Sequence, residues 1–183
     1  MLEDIAYNLS VIHQRINNAC QQAGRNHSDV RLQLATKTVS EERLRYAISQ
    51  GETLLGENKV QDGLKMAQQI ADLQAEWHFI GHLQTNKIKD VLKWATCIQS
   101  VDRTDLVEKL DQRLQFEGRA IDVYLQVNTS YEDSKYGVAP EQALELAKSI
   151  QKYDTLRLKG LMTIGVFSED EKQIRKCFQL LKQ

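Results

Sequence analysis

Short apolar runs alternate with segments of helical periodicity along this sequence, and that alternation constrains the fold more than any other feature. After an amphipathic N-terminal segment, each of six apolar runs precedes an amphipathic pattern of helical period. We predict strands near 32–37, 53–55, 77–81, 96–100, 121–127 and 158–164. We predict helices over 2–24, 40–50, 58–75, 86–94, 103–117 and 140–152, and a last helix that begins near 168.

A series of strand–helix units of this kind is typical of a parallel α/β fold. No weak linker divides the chain, so we predict one domain over residues 1–183. The pattern alone leaves two architectures open. A (β/α)8 barrel needs two further units, whereas an open doubly wound sheet needs none.

Composition argues against several classes of function. The chain has 183 residues, and 24 lysines and arginines against 25 aspartates and glutamates give a net charge of −1. This balance gives no sign of nucleic-acid binding, and no apolar run approaches the length that crosses a membrane. The three cysteines are widely spaced and lack a Cys-x-x-Cys pair, which argues against a zinc site or a disulfide framework. Free thiols in a reducing cytoplasm are the better interpretation.

One strand–helix junction, in the stretch Arg31-Leu-Gln-Leu-Ala-Thr-Lys37-Thr-Val-Ser40, carries a lysine in a position suited to chemistry. Ser40 and the two glutamates after it are typical of a helix start, so Lys37 falls at the carboxyl end of the first strand. In α/β folds that end faces the ligand crevice. A lysine that is partly desolvated there has a lowered pKa and can form a Schiff base. The alternative is a lysine whose stem packs on the strand end while its ammonium stays in water.

Polar side chains also occur where other predicted strands end. The set is Lys37, Asn58, His82, Ser100, Asn128 and Thr163. Side chains from several strand ends at one rim are what a barrel active site requires. Turn and cap positions are commonly polar, however, which explains Asn58, Ser100 and Asn128 individually.

His78 lies inside the predicted third strand, between Trp77 and Phe79. A hydrogen-bonded core histidine is the more common outcome for such a placement. His78 and His82 have no carboxylate at ligand spacing, so no metal site is predicted. The glycine-rich loops that bind nucleotide phosphates do not occur in the sequence.

Several stretches carry a specific signal because they occur together and in order. They are Leu34-Ala-Thr-Lys37-Thr, Gly56-Glu-Asn-Lys-Val-Gln61, Trp77-His-Phe-Ile-Gly-His-Leu-Gln-Thr-Asn-Lys87, Ser100-Val-Asp-Arg103, Gln126-Val-Asn-Thr-Ser130 with Ser134-Lys-Tyr-Gly137, and Gly160-Leu-Met-Thr-Ile164. This set resembles the pyridoxal-phosphate homeostasis protein family over essentially the whole chain.

The resemblance implies a (β/α)8 TIM barrel like the N-terminal domain of bacterial alanine racemase, with about six strand–helix units present here. It implies that pyridoxal 5′-phosphate (PLP) is held as a Schiff base by the lysine of the first strand, which matches Lys37. Further positions that match the cofactor pocket, or strands around it, are Asn58, His78, Gly81, Ser100 and Met162. Lys135 matches a lysine of the Ser-Lys-Tyr-Gly loop that is linked to a secondary cofactor contact.

The resemblance also implies a role. Members of the family hold, buffer or deliver PLP without established turnover, so the implied partners are PLP and PLP-dependent apoenzymes, with no nucleic acid and no membrane. A competing hypothesis is a PLP-dependent racemase or lyase. Racemisation needs a second base, which a tyrosine of an additional C-terminal domain supplies in alanine racemase, and that domain is not in this sequence. A third hypothesis is an interaction protein that does not bind the cofactor.

Family members continue through a Ser-Met-Gly-Met-Ser segment and an Arg-Ile-Gly segment that bind the cofactor phosphate. Neither segment is present here. We therefore expect a shortened form without two of the barrel strands, with exposed sheet edges and a weaker hold on the phosphate. The full-length family is expected to be monomeric, and association between chains is an expected possibility for this shortened one.

Overall fold

The computed structural model describes residues 2–183, in which six strands and seven α-helices alternate. The strands are β1 (Leu34–Ala35), β2 (Leu54–Glu57), β3 (Glu76–Phe79), β4 (Cys97–Val101), β5 (Ile121–Gln126) and β6 (Leu156–Met162). The helices are α1 (Leu2–Gln22), α2 (Glu41–Ser49), α3 (Val60–Gln69), α4 (Ile88–Val91), α5 (Thr104–Glu117), α6 (Ala143–Ile150) and α7 (Glu171–Lys182). Every predicted element is present, and most are shorter than predicted. No helix within residues 2–183 is long and apolar enough to cross a membrane.

All six strands are parallel and lie in the order β1-β2-β3-β4-β5-β6. A doubly wound sheet reverses its strand order at a switch point, and this sheet does not. Sequential parallel strands joined by helices are the arrangement of a TIM barrel. The chain therefore forms part of such a barrel, and the doubly wound alternative is wrong.

The outer face of the sheet packs against the helices and forms the apolar core. Trp77 and Phe79 of β3 contact the indole of Trp94, which follows α4, with ring centroids 5.9 and 6.1 Å apart. The indole N–H of Trp94 donates to the Val60 carbonyl at 3.1 Å. Side chains alternate along a strand, so burial of Trp77 and Phe79 on this face directs His78 to the other one.

The inner face of the partial barrel is polar. His78 is buried and hydrogen-bonds with Nε2 to Glu76 at 2.9 Å and with Nδ1 to Gln99 at 2.7 Å. Gln99 also donates to Gln33 at 3.1 Å, which links β4 to the residue before β1. The hydrogen bond from Arg31 holds the pKa of Glu76 below its ordinary value. These bonds make His78 the satisfied core histidine that its sequence position favours.

All three cysteines, Cys20, Cys97 and Cys177, are free and buried. Burial raises the pKa of the Cys97 thiol to about 12, and the nearby Asp122 carboxylate contributes in the same direction. A thiol in such surroundings stays protonated and is a poor nucleophile.

Candidate functional site

A cavity of about 320 Å³ opens at the carboxyl ends of the parallel strands. It is lined by Ala35, Lys37, Gly56, Asn58, Ile80, Gly81, His82, Gln126, Tyr136 and Ile164. The structure therefore brings together Lys37, Asn58, Gly81 and His82, which the sequence placed at strand ends or in the cofactor pocket. A larger cleft of about 530 Å³ beside α7 contains none of the predicted site residues.

Lys37 lies in a tight turn after β1 that is hydrogen-bonded to β2. The buried Thr36 donates its N–H to the Gly56 carbonyl at 2.9 Å and its hydroxyl to the Glu57 carboxylate at 2.9 Å. Thr38 has a φ of 63°, a left-handed conformation that costs a non-glycine residue about 1–3 kcal/mol. The Lys37 side chain is exposed. Of the two alternatives for this lysine, its exposure favours the one in which the ammonium reaches water, although the residue also lines the cavity.

Glu57 organises the cavity wall, although sequence reasoning did not select it. The residue is 3% exposed, and its carboxylate accepts hydrogen bonds from the backbone N–H groups of Asn58 at 2.7 Å and Lys59 at 3.1 Å. With the bond from Thr36, these contacts tie the turn that carries Lys37 to the segment that carries Asn58. A carboxylate at the end of an otherwise apolar strand was the signal available in the sequence.

Gly81 allows the backbones after β2 and β3 to approach closely. A Cβ atom at Gly81 would lie 2.1 Å from the Asn58 carbonyl oxygen and 2.7 Å from the carbonyl carbon. Both are backbone atoms, so no rotamer change relieves the overlap. Gly56 is different, because a Cβ there would meet Gln33 Nε2 at 2.9 Å and Ile80 Cδ1 at 3.0 Å, the ends of movable side chains.

His82 and Tyr136 stack at the cavity, with ring centroids 3.9 Å apart and planes inclined by 15°. Tyr136 belongs to the loop after β5, and its carbonyl accepts a hydrogen bond from Gln126 Nε2 at 3.2 Å. The Asn128 N–H donates to the Val138 carbonyl at 2.9 Å and closes the loop. The stack therefore joins loops from two strands that β4 separates. Sequence patterns did not select Tyr136 for the site.

The remaining predicted residues lie outside the cavity lining. His78 belongs to the polar network of the inner face. Ser100 is fully buried within β4, and its hydroxyl has no hydrogen-bond partner among residues 2–183. Met162 is the half-buried last residue of β6, and Lys135 is half-buried in the loop after β5. Their contact with a cofactor stays a prediction.

The chain matches the family model of the alanine racemase N-terminal domain over residues 2–183. It is 37% identical over 175 residues to a pyridoxal phosphate homeostasis protein from Aquifex aeolicus, which covers 96% of this chain and 77% of that protein. A crystal structure of an unknown protein from Bifidobacterium adolescentis is 36% identical with a TM-score of 0.91, and covers 99% of this chain and 77% of that one.

The structure of PipY from Synechococcus elongatus with PLP bound is 22% identical with a TM-score of 0.71, and covers 92% of this chain and 82% of that one. At this identity the likeness supports the fold. Fold and family model together define the class, a barrel of the alanine racemase N-terminal type. Within that class the chain belongs to the pyridoxal phosphate homeostasis protein family, as its motifs indicated, and spans about 77% of the length of the Aquifex relative.

Proposed function

We propose that this chain binds PLP through a Schiff base with Lys37 and takes part in PLP homeostasis. The observation that carries the proposal is the cavity at the strand ends, in which Lys37, Asn58 and Gly81 meet. The names of its relatives support the same conclusion. We propose further that the whole chain is one cofactor-binding domain.

The cavity lining fits the aldehyde, the ring and the polar ring substituents of such a cofactor. Lys37 offers an amine for the aldehyde, Ile80 and Ile164 offer apolar surface for the ring, and Asn58 and Gln126 offer amide groups for its polar substituents. PLP supplies an electron sink for amino-acid chemistry when it is bound. The residues of this chain supply binding and orientation. We propose that His78, Ser100 and Met162 support the site from the surrounding strands, and that Lys135 makes a secondary contact.

We infer that the protein is a carrier of the cofactor and not a turnover enzyme. The homeostasis proteins among its relatives support this inference. PLP-dependent apoenzymes are the proposed recipients. The cytoplasm is the proposed location, because free buried cysteines are typical of a reducing compartment.

A titration with PLP tests the proposal. We expect a saturable imine absorbance band with the unaltered chain and none with Lys37→Ala. The matched control is Lys59→Ala, since Lys59 lies on the neighbouring segment but its side chain is 73% exposed and does not line the cavity. Equal absorbance from Lys37→Ala and the unaltered chain would contradict the proposal.

A separate assay distinguishes the carrier from the alternatives. The loaded protein is incubated with L-alanine in deuterated water, and D-alanine and deuterium at Cα are measured. We expect neither. Racemisation that Lys37→Ala abolishes would establish the racemase hypothesis instead. Concentration-dependent association without any imine band would favour the interaction protein.

A further inference from the structure

Two residues that follow β4, Asp102 and Arg103, lie beside His82 and the residue after it. The Asp102 side chain is 8% exposed, and its Oδ2 lies 4.0 Å from His82 Nδ1. Its Oδ1 accepts a hydrogen bond from Arg103 Nη1 at 2.8 Å, and Arg103 Nη2 donates to the Leu83 carbonyl at 2.7 Å. Arg103 thus fixes both the carboxylate and the backbone next to His82.

The position of His82 suits proton transfer within the cavity. The titratable side chains in the lining are Lys37, His82 and Tyr136, and imidazole is the group that proteins most often use as a general acid and base. Nδ1 is the ring nitrogen on the side of Asp102, at 4.0 Å, so we assign the proton exchange to Nε2. Tyr136 stacks on one ring face and limits rotation of the imidazole. The charged groups of this region are Asp102, which lies 4.0 Å from the ring, Arg103, which is bonded to Asp102, and Lys37, which lines the same cavity.

We propose that His82 transfers the protons when an aldehyde such as PLP is joined to Lys37 or released from it, and that Asp102 is a positioning residue for His82. The proposal rests on the proposed function, because it concerns the chemistry of the same lysine. Proton transfer by His82 would speed both the binding of PLP to Lys37 and its release.

The atoms and charges of the step balance. His82 takes one proton from the Lys37 ammonium, and the Nζ lone pair forms a bond to the aldehyde carbon while the carbonyl electrons move to oxygen. A second proton moves from nitrogen to that oxygen. His82 then returns its proton to the oxygen, the C–O bond breaks and water leaves. Ammonium and aldehyde have become protonated imine and water, and His82 ends in its starting state. Release runs through the same steps in reverse.

Stopped-flow measurement of imine formation and release with PLP tests the proposal. His82→Phe retains a ring that can stack on Tyr136 but cannot exchange protons. We expect its forward and reverse rate constants to fall by the same factor, about 10²-fold, because a proton-transfer group acts on the barrier that both directions share. His27→Phe is the matched control, since His27 is exposed in a short turn before β1 and lies outside the cavity.

Added imidazole provides a second readout. In His82→Ala, added imidazole should restore both rate constants. Such a rescue is not expected if His82 only packs against its neighbours or binds the aldehyde. Unchanged rate constants in His82→Phe, or a rise in the release constant alone, would overturn the proposal. These results differ from a failure of the proposed function, in which the unaltered chain forms no imine at Lys37.

Asp102 is tested through His82. Asp102→Asn should slow loading and release together, and Asp102→Glu, which keeps the carboxylate, should recover most of the loss. Equal rate constants for the asparagine variant and the unaltered chain would show that Asp102 does not position His82. Loss in both variants without recovery would show a merely structural role.

Discussion

Gly81→Ala is the substitution whose effect follows most directly from the geometry of the site. The added methyl group would meet the Asn58 carbonyl oxygen at 2.1 Å, and the separation must widen to at least 3.0 Å. That movement strains the hydrogen bond from the Ile80 N–H to the Glu57 carbonyl, now 2.9 Å long. Loss of this bond costs about 1 kcal/mol, and overpacking costs about 1–3 kcal/mol more. We therefore expect the free energy of unfolding to fall by about 3 kcal/mol.

Urea denaturation and calorimetry measure this loss. For a chain of this size about 3 kcal/mol corresponds to a fall in melting temperature of roughly 6–12 °C. The affinity for PLP should fall as well, because Asn58 is displaced from the cavity. Gly56→Ala is the matched control, since the methyl group there meets only the movable ends of Gln33 and Ile80. Its cost should stay below about 1 kcal/mol. Equal stability of the two variants would refute the reasoning.

Three further predictions concern stability and reactivity. Gly63→Ala should lower the free energy of unfolding, measured by urea denaturation, by about 1–3 kcal/mol, because its Cβ would lie 2.3 Å from the Trp94 ring. In a Trp94→Ala background the overlap is gone, and the higher helix propensity of alanine should make the same substitution stabilising by about 1 kcal/mol. Glu57→Leu should cost about 3 kcal/mol and Glu57→Gln about 1 kcal/mol by the same assay, because leucine leaves buried donors without an acceptor. Cys97 should be alkylated only on unfolding. Its raised pKa also means that the free energy of unfolding decreases as the pH rises from about 8.5, where the unfolded thiol ionises, towards about 12. Cys97→Ala should remove this contribution and make the decrease smaller.

The order of strands and helices could be predicted from the sequence because alternating periodicity is a local property. Lys37 and Asn58 were predictable for a related reason, since carboxyl ends of parallel strands meet at one rim. The sequence left the exposure of Lys37 undecided between two alternatives, because side-chain exposure depends on which strands surround the residue. Ser100 is a second residue whose environment could not be predicted from the sequence. Its strand was predicted, but the register shift between Ile98 and Val101 that accompanies its burial is a property of pairing with β5.

Glu57 and Tyr136 required the three-dimensional structure. The role of Glu57 depends on donors from the two segments that it joins, and nothing in the spacing of the motif specifies those bonds. Tyr136 reaches His82 only because its loop turns back at Gly137, which has a φ of 123° and whose added Cβ would lie 2.6 Å from the Asn128 backbone nitrogen. A loop path of this kind leaves no periodic pattern in the sequence.

The central claim, that Lys37 is the residue that holds PLP, is tested most directly by reduction of the loaded chain with borohydride and mass mapping of its peptides. The account predicts a phosphopyridoxyl group concentrated on Lys37, with the exposed Lys59 modified no more than other surface lysines. Modification scattered over surface lysines, or its absence from Lys37, would contradict the claim.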